Sequence, residues 1–230
     1  MTDDELRAVL AGRLAEVRGR IAAAGRDPAT VTVVAVTKTV SARVAGLLPG
    51  LGVPALGENR PQSLWAKAAA VVGASWHLIG HLQRNKLDRT LPLVGLVHSV
   101  DSERLLEAID AFGRKAGTPV PVLLEVNASR EGAKGGFAVE AVPAVADRVA
   151  GMAGVRCDGL MTMAAHAADP EACRPTFAEL RELRDRLRTR TGLPLPHLSM
   201  GMSNDYPVAV QEGATLVRPG TALFAGLEAE

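Results

Sequence analysis

The chain has 230 residues, 26 of them basic and 25 acidic, for a formal net charge of +1. That balance argues against a nucleic-acid binder, which needs a clear basic excess, and leaves open a small anion held at one local site. Hydrophobic residues make up 47%, yet there are only two Trp, one Tyr and four Phe, so Val, Leu, Ala and Ile must pack one barrel or sandwich, or two small domains.

The first residues, MTDDELRAVL, hold no apolar signal core, and no stretch approaches 18 apolar residues. Cys157 and Cys173 have no ligand cluster around them and read as free thiols of a reducing compartment. The expectation is a soluble, cytoplasmic protein with no membrane or nucleic-acid partner.

Leu6, Leu10, Leu14, Val17 and Ile21 recur at helical spacing, so an amphipathic helix opens the chain. Thr2 and Glu5 have the form of a capping box, and Gly25 ends the helix. A regular alternation follows. Strands are predicted at 31–37, 53–56, 76–79, 95–99, 120–126, 157–162, 197–200 and 215–217. Helices are predicted at 41–48, 61–72, 102–116, 140–150, 170–189 and 206–212, with a short one at 83–88. Runs such as VTVVAV and VPVLLEV are apolar throughout, as strands covered on both faces are. Eight strands joined by helices indicate a (β/α)₈ barrel. A doubly wound open sheet is the competing architecture. The N-terminal helix is expected to fill the ring position after the eighth strand. No linker, repeat or low-complexity tract breaks the chain, so residues 1–230 are read as one domain.

In a barrel, chemistry belongs at the C-terminal ends of the strands. Those ends carry Lys38, Glu58-Asn59, Gly80-His81, Asn127, Met161-Thr162, Ser203-Asn204 and Arg218, a polar set for positions that follow apolar runs. Lys38 shares a strand face with Val34 and Val36, so its stem is expected to leave an apolar interior, a setting that favours a nucleophilic amine. It also reads as a lysine snorkelling at a strand end. LSMGMSNDYP looks like a strand turning into a helix, with Gly201 permitting close approach and Ser203 to Asp205 suited to capping. Together with Gly220 and Thr221 in VRPGT it can form a phosphate site, since barrels place one after strands seven and eight. An ordinary capped helix and turn is the alternative. His77 and His81 are four apart, but one lies in a strand and the other after it, with no carboxylate between, so metal binding is not expected. His81 is a candidate cofactor contact or a loop residue; Asn59 can equally be a turn residue. Arg181, Arg184, Arg186 and Arg188 with Glu179, Glu182 and Asp185 read as a solvated helix face.

VAVTKTV, GENRPQ, WHLIGHLQRNK, HSVDS, EVNASREGAKGGF, GLMTM, LSMGMSNDY and LVRPGTALF occur in this order from about residue 30 to residue 224. These segments resemble the YggS/PROSC family of pyridoxal-phosphate-binding homeostasis proteins, itself similar to the N-terminal barrel of the fold-type III enzymes. The resemblance implies that Lys38 carries pyridoxal 5′-phosphate as a Schiff base and that Arg218 partners the pyridine nitrogen. It implies phosphate contacts from Ser203, Gly220 and Thr221, and a pocket lined by Asn59 and His81. The family motif GENYVQE reads GENRPQS here: Arg60 replaces an aromatic, Pro61 follows, and Ser63 replaces an acid. Pro61 suits a first helical position.

The resemblance implies a carrier of the cofactor rather than a robust enzyme. Racemases of this fold take an opposing base from a second domain, and the chain is read as ending with its first. An arginine only donates and stays protonated, so it weakens the pyridine ring as an electron sink. A fold-type III amino-acid racemase is the alternative. A Schiff-base aldolase is disfavoured because CDGLMTM, the sixth strand, has no lysine. Apo-enzymes that use the cofactor are the expected partners, and the chain is read as a monomer.

Overall fold

The computed structural model describes residues 1–132, 135–165 and 167–227. Nine parallel strand segments form one sheet whose first and last members are halves of a single run. That run, β1, comprises Thr32–Val33 and Ala35–Val36. Its even residues turn one way: the Val34 and Val36 amides donate to the carbonyls of Val217 (2.9 Å) and Pro219 (3.0 Å). The next amide, of Thr37, turns the other way and donates to Gly57 at 3.0 Å. With both edges of β1 paired, the sheet has no free edge, and the open doubly wound alternative is excluded.

The other staves are β2 (Ala55–Glu58), β3 (Ser75–Leu78), β4 (Val94–Val100), β5 (Val120–Glu125), β6 (Val155–Met161), β7 (His197–Met202) and β8 (Leu216–Arg218). Each pairs in parallel with its chain neighbours, and β8 returns to β1 in the register Thr32↔Leu216. The expected eight-stranded barrel is the observed one. All C-terminal strand ends therefore lie at one mouth.

Helix α1 (Asp3–Ala23) starts in the anticipated capping box, with the Glu5 amide donating to Thr2 Oγ1 (3.2 Å) and the Thr2 amide to Glu5 Oε2 (2.7 Å). Leu6, Leu10, Leu14, Val17 and Ile21 are all buried. α1 occupies the ring position after β8, where Arg13 donates to the carbonyls of Leu223 and Ala225, both at 2.8 Å. These lie in and just after a final turn, α9 (Thr221–Phe224).

Several helices are shorter than their sequence patterns. The 41–48 pattern becomes one turn, α2 (Ala42–Ala45), and a 3₁₀ turn at Pro49–Leu51. The 61–72 pattern stops at Ala68 in α3 (Pro61–Ala68), with Pro61 at its start and Arg60 before it. The 83–88 region continues through α4 (Leu87–Thr90). Then come α5 (Glu103–Ala116), α6 (Val142–Ala150), α7 (Arg174–Thr191) and α8 (Tyr206–Gln211). The arginine-rich face of α7 is not wholly solvated. Arg181 pairs with buried Glu212, which Arg174 also holds at 2.8 Å, and the Arg184 side chain is only 14% exposed.

The core has two parts. Most apolar residues pack between the barrel and its helices. Inside the barrel a smaller cluster joins Val34, Ala55, Leu96, Leu123, Met161 and Leu216. Two residues further along their strands, on the same inward face, come Val36, His98, Glu125 and Arg218. The interior thus changes from aliphatic to polar just beneath the mouth. Among the described residues no helix is long and apolar enough to cross a membrane. Cys157 and Cys173 are buried and form no disulfide with each other, and burial pushes the Cys157 thiol up.

Candidate functional site

The seam where β7, β8 and β1 meet brings together most of the residues singled out in the sequence. Val36 donates to Pro219, and a side chain at Gly220 would begin 3.5 Å from Val36 Cβ. Lys38, two residues beyond Val36, therefore stands beside the 218–221 loop. Its side chain is exposed. Of the two readings of Lys38, the exposed lysine at a strand end is the one observed, because β1 ends at Val36 and alternation no longer directs the side chain.

Ser203 ties the β7 loop to this seam. Its Oγ accepts from the amides of Gly220 and Ala222, each at 3.0 Å. The turn that delivers Ser203 depends on Gly201, whose φ of +90° and whose approach to Tyr206 Cα (2.8 Å from a notional Cβ) exclude other residues. Asp205 Oδ1 closes the turn by accepting from the Met202 amide at 2.6 Å. Thr221 is exposed at the start of α9.

Asn59 follows β2 on the other side of β1. The backbone of Gly80 is packed so tightly against it that a Cβ there would sit 2.3 Å from the Asn59 oxygen. His81, next in the chain, turns away toward the β4 loop, where its Nδ1 lies 2.9 Å from Asp101 Oδ2 with the imidazole 67% exposed. Lys38, Asn59, Ser203, Arg218, Gly220 and Thr221 thus line adjoining strand ends, with His81 on the outer rim. His77 and His81 go to different partners, and among the described residues no three His, Cys, Asp or Glu side chains converge as a metal site.

Arg218 is the buried cation beneath the mouth, 4% exposed. It donates to Ser199 Oγ at 2.5 Å and to the Thr162 carbonyl at 2.9 Å. Burial lowers its pKa to about 10, against the opposing pull of Asp205 and Glu125. The guanidinium is therefore charged at neutral pH. Ser199 continues to His98 Nδ1 (2.8 Å), and His98 Nε2 to His77 Nδ1 (2.9 Å). Glu125, also inward and buried, has its carboxyl raised by burial and then by Asp101, while Arg218 draws it back.

On the outer side of the barrel, Lys67 of α3 donates to the Thr37 carbonyl (2.6 Å) and to Glu58 Oε1 (2.5 Å). Thr37 Oγ1 donates to the same carboxylate oxygen at 2.6 Å. The peptide immediately before Lys38 is thereby fixed at its amide, carbonyl and hydroxyl. Sequence reading missed this clamp, as it missed His98 and Ser199.

The imidazoles give a stability prediction. Burial pushes His77 down to about 4, and His98, fully buried, well below its ordinary value through burial, His77 and Arg218. An unfolded histidine titrates near 6.5. Below that pH the unfolded chain takes up protons that the folded chain refuses, so stability falls as pH drops from about 6.5 toward 4. His77 alone should cost about 2 kcal/mol between pH 7 and pH 5, and His98 adds in the same direction. Urea unfolding of the apo-protein at the two pH values measures this. Equal stabilities would contradict neutral imidazoles in the barrel.

Residues 14–228 match the family model described as alanine racemase, N-terminal domain. The pyridoxal phosphate homeostasis protein of Deinococcus radiodurans is 42% identical over 219 residues, covering 95% of this chain and 98% of that protein. PipY of Synechococcus elongatus, solved with pyridoxal phosphate bound, is similar with a TM-score of 0.83 at 32% identity, over 94% of this chain and 99% of that one. The alanine racemase of Corynebacterium glutamicum shares the fold alone: its TM-score is 0.76 at 14% identity, over 94% of this chain and 60% of that one.

Proposed function

The chain belongs to the alanine racemase N-terminal domain family, and from that premise we propose that it binds pyridoxal 5′-phosphate and serves its homeostasis in the cytoplasm. The observation that carries this reading is the seam itself. An exposed amine (Lys38), a buried guanidinium (Arg218) and a hydroxyl–amide cradle (Ser203, Gly220, Thr221) stand on consecutive strand ends. That donor set matches the aldehyde, ring nitrogen and phosphate of the cofactor in kind. When bound, the cofactor would supply an aldehyde, and Lys38 is the residue whose amine would hold it.

The protein's own groups have separate tasks. The Glu58–Lys67 clamp fixes the peptide that presents Lys38. Arg218, kept charged, offers its remaining N–H donors to the ring. Ser203 and the amides of Gly220 and Ala222 take the phosphate end, and Asn59 borders the amine. His81 stands further out, where it can meet a ligand only at the rim.

A carrier role is favoured over turnover by Tyr206, the one tyrosine of the chain. It is 1% exposed and faces Arg20 and Glu16 of α1, on the outer side of the barrel. It lines a cavity with Ser203, Thr221 and Ala222 that Lys38 does not border, so it stands on the cradle side of the seam, nearly fully buried, rather than opposite the Lys38 amine. The deciding experiment incubates the loaded protein with L-alanine in deuterated water and, in parallel, with an apo-enzyme that requires the cofactor. Transfer of the cofactor with negligible α-hydrogen exchange is the expected result. Exchange with inversion at about 1 s⁻¹ or faster makes the protein a racemase and ends the carrier reading.

A further inference from the structure

We propose that Ser199, His98 and His77 form a one-way hydrogen-bond chain across the barrel that holds the Arg218 guanidinium in its working position. As an effect on cofactor binding, this rests on the reading of Arg218 given above. The chain itself does not.

The geometry is continuous. Arg218 and Ser199 sit on adjacent staves β8 and β7, and His98 and His77 on adjacent staves β4 and β3. In an eight-stave ring those pairs face each other, so the contacts span the barrel's diameter. The successive separations are 2.5, 2.8 and 2.9 Å, and the two imidazole centroids lie 5.1 Å apart with a 54° tilt. Exposure is 4% for Arg218, 0% for Ser199, 0% for His98 and 7% for His77. The cluster below is largely aliphatic, and among the described residues the side-chain partners of Ser199 and His98 all belong to this hydrogen-bond chain.

Counting protons fixes the direction. Arginine can only donate, so Ser199 Oγ accepts from it. The hydroxyl then has one proton, and its other partner among the described residues is His98 Nδ1. If that nitrogen carried a proton, the serine O–H would be buried without an acceptor, at the full cost of its desolvation. The hydroxyl therefore donates to Nδ1, and His98 is protonated at Nε2. His98 Nε2–H donates to His77 Nδ1, which places the His77 proton on Nε2 as well. Burial keeps both rings neutral, so each has one donor and one acceptor, as a one-way chain requires.

Ser199 and His98 are thus positioning residues. With the Thr162 carbonyl as the second anchor, they give the guanidinium two fixed contacts, one on β7 and one just past the end of β6. Removing the hydroxyl leaves Arg218 one anchor and leaves His98 Nδ1 without its donor.

The test has two arms. Nitrogen NMR of the apo-protein should show His77 and His98 both protonated at Nε2, with Arg218 side-chain N–H exchange slower than that of exposed arginines. Ser199→Ala should accelerate Arg218 exchange, weaken pyridoxal phosphate binding about tenfold and shift the visible spectrum of the bound cofactor. Ser199→Thr, which keeps a hydroxyl, should restore all three. Nδ1 protonation of either histidine in the wild type overturns the chain, and this measurement needs no variant to fold. A Ser199→Ala protein that melts lower but keeps its affinity, spectrum and Arg218 exchange overturns the positioning role. If the wild type does not bind the cofactor, the functional reading fails while the apo-protein NMR still decides the chain.

Discussion

Replacing Lys38 with alanine should abolish the borohydride-reducible adduct with pyridoxal phosphate. An imine needs an amine that is accessible, unpaired and within reach of the bound aldehyde. Lys38 is exposed at the rim beside the 218–221 loop. Lys67 is held by Glu58 and the Thr37 carbonyl and is 11% exposed. Lys86 ends a 3₁₀ turn, and Lys115 lies in the last turn of α5 on the barrel's outer layer. Lys134 falls outside the described residues. Peptide mapping after reduction should place the label on residues 37–39 in the wild type and nowhere in Lys38→Ala. Lys38→Arg should fail equally, because the always-protonated guanidinium is not a nucleophile. Non-covalent binding should persist in both variants through the phosphate and Arg218. Stoichiometric labelling of another lysine in Lys38→Ala removes the site assignment.

The barrel was legible because its strands are short apolar runs separated by helical patterns, and each such run occurs locally in the sequence. Closure is not local. It depends on β1 pairing with β8, and it shows only in the alternation of amide partners along 32–37. Lys38, Ser203 and Arg218 could be picked out because each follows an apolar run at a strand end. His98 and Ser199 stand within the runs LVHSV and HLSMGM, where a polar residue reads as part of the strand body. Alternation from Leu96 sends His98 inward. Which strand it meets there depends on the register across the whole ring, which no single segment carries. Glu58 was noticed at its strand end, but Gly57 faces the interior, where a Cβ would meet Val34 and Ile79. Glu58 therefore points outward to Lys67. Between the sheltered and the snorkelling reading of Lys38 the sequence could not choose for a related reason: alternation gives the direction of a side chain only while the backbone remains a strand.

Pyridoxal without its phosphate should bind at least about a hundredfold more weakly than pyridoxal phosphate, a difference of roughly 2.7 kcal/mol. The cradle offers Ser203 Oγ, the Gly220 and Ala222 amides and the Thr221 hydroxyl within one loop pair. Hydrogen bonds to a charged acceptor contribute about 1.5–3 kcal/mol each. The gain is smaller than their sum because the amides already donate to Ser203 Oγ at 3.0 Å. Phosphate must displace that neutral acceptor, after which the serine hydroxyl can turn and donate. What is gained is the difference between a hydroxyl and a dianion as acceptor, plus contacts to Ser203 and Thr221. The two new contacts, to Ser203 and Thr221, at about 1.5–3 kcal/mol each, already cover the predicted difference. Ser203→Ala deletes one donor but frees the amides, so it should weaken pyridoxal phosphate by about tenfold at most. Thr221→Val should act similarly, and the double variant should bring the two ligands closer in affinity. Calorimetric titration of the apo-protein with each form gives the comparison directly. Because the phosphate interaction is electrostatic at an exposed rim, the gap between the two forms should narrow as salt is raised. Equal affinities at low salt would place the phosphate elsewhere, and the 203–221 cradle would then be a structural cap joining β7 to the start of α9.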